Sequence, residues 1–128
     1  MLTTATLIAV PAAAIAALLA SGVYYGALAD ARVRTGPRRS AGATAVVEIV
    51  RNVVLAAGAA LLLDALGVAG LVPALLLAAG LWIAFPVVLL AGSVFHEGVP
   101  AASAVLHAGD WLIKLAIVLG VVALIVTS

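Results

Sequence analysis

The sequence predicts an all-α integral membrane protein, a single domain built as a bundle of four antiparallel transmembrane helices. Three observations carry that prediction. Hydrophobic residues make up 67% and charged residues 9% of the chain, whereas a soluble domain averages roughly 45–50% and about 25%. So few charges cannot cover a water-facing surface, and the mean hydropathy of +1.40 agrees. The apolar runs fall at about 2–29, 44–66, 71–95 and 101–127, and each reaches the roughly 20 residues that one bilayer crossing needs.

The first span, Leu2–Ala29, holds no charged side chain, and Pro11 in its first half is tolerable in a membrane helix. Ala27-Leu28-Ala29 resembles a signal-peptidase site. No Lys or Arg precedes the apolar run, however, and the run is too long for the core of a signal peptide, so it is expected to remain as a span. The connection Asp30–Gly42 is the only markedly polar one and carries four arginines. The second span, from Thr44 to Leu66, has Glu48, Arg51 and Asn52 near its start, and a tight turn over Gly67–Gly70 returns the chain. The third span carries Pro73 near its start and Pro86 within it. A short turn at His96–Pro100 leads into the last helix, where Pro100 suits the first helical position.

Arg32, Arg34, Arg38 and Arg39 place the first connection in the cytoplasm. The expectation is then a multi-pass protein of the bacterial cytoplasmic (inner) membrane with both termini outside. Tyr24, Tyr25, Phe95 and Trp111 fall near the cytoplasmic interface, as a headgroup belt does, whereas Trp82 and Phe85 fall nearer mid-depth. Asp64 is the lone charged side chain at the opposite end.

The candidate site is the cytoplasmic-end cluster Glu48, Arg51, Asn52, His96, Glu97, His107, Asp110 and Lys114. Glu48, Arg51 and Asn52 share one face of the second helix. His107, Asp110, Trp111 and Lys114 share one face of the last, with Ser103 a turn earlier. One reading is structural. Glu48 with Arg51, and Asp110 with Lys114, have the spacing of in-helix ion pairs, and Lys114 snorkels toward the cytoplasm. A second reading takes Glu48, Asn52, His107 and Lys114 as the lining of a cytoplasmic vestibule for protons or ions. A third takes His96, Glu97, His107 and Asp110 as metal ligands. Their spacing matches no tight motif, so no metal and no cofactor is assigned.

Catalytic signals are absent: there is no Gly-x-Ser-x-Gly elbow, phosphate-binding loop or HExxH helix, and Ser93 with His96 is a bare i, i+3 pair. With no cysteine there is no disulfide, thiol nucleophile or iron–sulfur site, and a net charge of +1 gives no basis for a nucleic-acid partner. The expected partners are membrane lipids, with Arg32, Arg34, Arg38 and Arg39 toward headgroups, and a second copy of the chain. Ala9, Ala13, Ala17 and Ser21 form a small-residue stripe on the first span, followed by Gly22-x-x-x-Gly26. Such a stripe packs helices closely, either in a two-fold dimer or as a seam inside one chain.

The chain resembles the family of small membrane proteins grouped as domain of unknown function 1761. The residues that carry the resemblance are "YYGALAD" (Tyr24–Asp30), "LWIAFP" (Leu81–Pro86), the Phe95-His96-Glu97 turn and "HAGDWLIKLAIVL" in the last helix, in that order. Where many members have Lys and Trp after the Tyr-Gly motif, this chain has Asp30-Ala31-Arg32. The resemblance implies four spans and a membrane location, and it carries over no catalytic residue. The leading expectation is a small structural or interaction protein that self-associates; the rival is a proton- or ion-coupled transporter or channel component.

Overall fold

A computed structural model describes residues 3–28 and 39–127. The helices are α1 (Thr4–Leu28), α2 (Ala41–Leu66), α3 (Leu71–Trp82), α4 (Val88–Glu97) and α5 (Ala101–Thr127), with a π-helical turn at Ile83–Val87 joining α3 to α4. Together α3, the π-turn and α4 make one apolar span, so four helical segments are long and apolar enough to cross a bilayer.

Local chemistry sets the ends. Ser40 caps α2 by accepting from the Ala43 amide at 3.1 Å. Gly67 and Gly98 close α2 and α4 in the left-handed region, at φ 63° and 71°, where a residue with a Cβ is strained. Because α4 continues to Glu97, with Gly98 as its cap, His96 and Glu97 lie in its last helical turn rather than in the connecting turn the sequence predicts for them. Pro86 has no amide hydrogen, and its ring would clash with the carbonyl four residues back. The helix widens into a π-turn around it.

The core is made of small residues. Ala9, Ala13, Ala17, Ala56 and Ala74 are fully buried together with Val118, Leu119 and Val122, whereas Leu7, Ile15, Leu19, Val72, Leu76 and Leu89 face outward. Lipid is as apolar as leucine, so burying a large aliphatic group between helices gains little there. Close backbone approach at small residues is what holds the helices together. The stripe Ala9, Ala13, Ala17 and Ser21 is therefore an internal seam, with α1 packed against α5 and α2. Of the two partners that the sequence allows for this stripe, a second copy or another helix of the same chain, the monomer supplies the second.

The last helix, α5, is the centre of the molecule. It packs on α1, α2 and α3, whereas α3 and α4 lean on α5 alone and scarcely touch α1 or α2. Ser21 meets Asp110 near one end of the α1–α5 pair, and Thr6 shares a hollow with Val122 and Val126 near the other, so these helices run in opposite directions. Likewise Trp82 meets Ala108 and Leu71 lies against Gly120, which sets α3 opposite to α5.

Candidate functional site: a charge-balanced cluster at one end of the bundle

The charged positions of α2 and α5 meet at the end of the bundle where both helices begin. Within α5, Asp110 Oδ2 pairs with Lys114 Nζ at 2.9 Å; within α2, Arg51 pairs with Glu48 Oε1 at 2.5 Å. Lys114 Nζ also reaches across to Glu48 Oε2 at 3.3 Å, and Ser21 Oγ donates from α1 to Asp110 Oδ1 at 2.5 Å. The result is one unbroken sequence of contacts, Ser21–Asp110–Lys114–Glu48–Arg51, joining three helices. All four carboxylate oxygens are engaged, and two acids balance two bases.

Exposure grades along it. The Asp110 and Lys114 side chains are each 4% exposed, Glu48 25% and Arg51 49%. Lys114 therefore does not snorkel. An ammonium flanked by two carboxylates gains more from those partners than from stretching toward headgroups, provided that the partners sit within the same low-dielectric interior.

A collar of polar aromatic groups surrounds the pairs. Tyr24 Oη donates to the Leu106 carbonyl at 2.8 Å, and Trp82 Nε1 donates to the Ala108 carbonyl at 2.8 Å. Each carbonyl keeps a second lone pair beside its helical bond, so α5 accepts both without breaking its ladder. Gly109 makes the first contact possible, because a Cβ there would overlap the Tyr24 hydroxyl. Tyr25 Oη and His107 Nδ1 are 2.7 Å apart. The Trp111 ring lies under both cations, 5.8 Å from Arg51 Cζ and 5.6 Å from Lys114 Nζ, in cation–π range.

Of the eight residues singled out from sequence, six come together here: Glu48, Arg51, Asn52, His107, Asp110 and Lys114. Asn52 is buried and donates to the Glu48 carbonyl of its own helix at 2.8 Å. His96 and Glu97 do not join them. Both are exposed at the end of α4, His96 lies edge-on to Phe95, and no ion pair or hydrogen bond of the cluster includes either. Among the described residues, no three His, Asp or Glu side chains are grouped to hold a metal ion. Gly22 and Gly26 are exposed with open space at their Cα positions. Arg39 is exposed ahead of α2, and Arg32, Arg34 and Arg38 lie outside the described residues.

Ser21, Tyr24, Tyr25 and Trp82 are members that sequence reasoning placed elsewhere, in a packing stripe, a headgroup belt or mid-depth. Ser21, Tyr24 and Tyr25 sit at i, i+3 and i+4, one face of α1, and that spacing was a readable signal. Trp82 offered none, because its partner is a backbone carbonyl.

Away from this end the buried interior is mainly apolar. Among the described residues the buried polar side chains are Ser21, Asn52, Ser103, Asp110 and Lys114 at the cluster's end and Thr6 at the other. Between them lie alanine, valine and leucine. The arrangement is chemically suited to fixing three helices against one another.

No curated protein and no solved structure matches the chain. The model of the family described as "Protein of unknown function (DUF1761)" matches residues 8–124, nearly the whole length, and the chain belongs to that family.

Proposed function

We propose that this chain is a small structural or interaction protein of the bacterial cytoplasmic membrane, with both termini outside, and that it self-associates. The observation that carries the reading is the closure of the polar cluster. Its charges sum to zero, each carboxylate oxygen is occupied, and among the described residues no buried side-chain nitrogen or oxygen lacks a partner. A group engaged in this way holds helices in register, and its buried members, Asp110 and Lys114, have no vacant coordination for cargo. The mainly apolar interior beyond it supports the same reading. The arginines of the 30–42 connection support the orientation. Support for self-association rests on Gly22 and Gly26, which present a small-residue face to the outside of the monomer.

Reconstitution into liposomes tests the first part. The protein should carry no proton or small-cation flux above empty vesicles. Flux that disappears in Glu48→Gln would favour the rival reading, a proton- or ion-coupled transporter, for which the specific support is an acid–base pair buried within a span. Gly22→Leu tests the second part. It has room in the monomer, so helicity should persist while the species in mild detergent shifts toward monomer. A wild-type chain that is already monomeric in detergent and in nanodiscs would end that idea.

A further inference from the structure

Next to the cluster lies a feature that its closure leaves unexplained. The second and third spans are joined by the tight turn at 67–70, yet beyond it α2 scarcely touches α3 or α4. They diverge and leave a cleft of about 430 Å³ over α5, lined by Leu55, Leu81, Phe85, Leu89, Trp111 and Leu115. The walls carry no charged side chain. The π-turn around Pro86 forms part of one wall.

The mouth of the cleft is different. Arg51 stands one helical turn before Leu55 on the same face of α2, and its guanidinium lies over the ring of Trp111, which lines the cleft. The Arg51 side chain is half exposed and uses one nitrogen on Glu48. A guanidinium has five N–H donors, so most of its donating capacity is left for a ligand. An apolar slot, open sideways to hydrocarbon and headed by a half-exposed arginine on a tryptophan, has the chemistry of a phospholipid. The apolar slot takes the tail, and the planar donor fork takes a phosphate.

We infer that this cleft holds one acyl chain of an anionic phospholipid, with its phosphate on Arg51. The occupant follows from charge complementarity. A second copy of the chain would bring an apolar helix face and leave the donors that Arg51 does not spend on Glu48 without an acceptor, and a zwitterionic lipid would bring its own cation to the same place. The inference is independent of the self-association reading, because the cleft lies away from the α1 face that carries Gly22 and Gly26.

Quenching of Trp111 by brominated acyl chains tests it in the full-length protein, reconstituted in phosphatidylcholine vesicles. The Trp111 signal is the difference between the intact chain and Trp111→Phe. A small fraction of brominated phosphatidylglycerol should quench it as though enriched about fivefold over the same fraction of brominated phosphatidylcholine, the preference one arginine near the surface provides. Arg51→Gln should bring the two lipids level. So should about 1 M salt in the intact chain, which screens the charge without altering the protein. Equal quenching by both lipids in the intact chain at low salt would overturn the inference, showing bulk lipid only. No quenching by either would also overturn it, showing that protein covers the cleft.

Discussion

Where α5 begins, α1, α2 and α5 meet through carboxylates, an ammonium, hydroxyls and indole; toward its other end the same three helices meet mainly through alanine, valine and leucine, with Thr6 as the one buried polar side chain among the described residues there. The two regions face the same difficulty, which is that lipid rewards apolar burial poorly. They resolve it differently. The apolar end relies on close approach: Ala13 and Ala56 are fully buried, and no longer side chain keeps the backbones apart. The polar end relies on direction. An ion pair is satisfied at one register and unsatisfied one turn away, so Lys114 between Glu48 and Asp110 fixes how far α2 and α5 slide. The apolar end makes the helices adhere, and the polar end specifies where.

Removing the cation breaks the comparison most severely. Lys114→Met leaves the buried Asp110 carboxylate without its cation and beside the Glu48 carboxylate, and the expected loss is about 3–5 kcal/mol in unfolding from mild-detergent micelles. Ala13→Leu attacks the apolar end instead. Overpacking should cost about 1–3 kcal/mol while leaving the ion pairs intact. Near-ultraviolet circular dichroism of Trp111, which is tied to the cluster, should change in the first variant and hold in the second. The smallest effect comes from the collar. Gly109→Ala should push Tyr24 off the Leu106 carbonyl at a cost of about 1 kcal/mol, and in a Tyr24→Ala background the same change should cost nothing measurable.

The sequence made some of this legible and some not, for physical reasons. Spans were readable because hydrocarbon solvates only long apolar runs, and the observed α1, α2 and α5 ends fall within three residues of the expected ones. The pairs Glu48–Arg51 and Asp110–Lys114 were readable because helix geometry puts i, i+3 and i, i+4 neighbours together. The bridge from Lys114 to Glu48 was not, since nothing local in either helix encodes their mutual register. Snorkelling was a sound expectation for a lone lysine, and it fails because the lysine has company. The alanine stripe was visible on α1, but a stripe of small residues looks the same whether its partner is α5 or a second copy. The position of α3 and α4 at the margin was hidden because their sequence is apolar on every side, and no face announces which one packs.

The central claim is that Glu48 and Lys114 act as one unit in tying α2 to α5. Unfolding measured for Glu48→Gln, Lys114→Met and the double variant isolates their coupling. The account predicts that the double variant is no less stable than Lys114→Met alone, because removing Glu48's charge relieves the repulsion that the lost lysine exposes. Two losses that simply add would contradict it, leaving Glu48 and Lys114 as neighbours with no shared role.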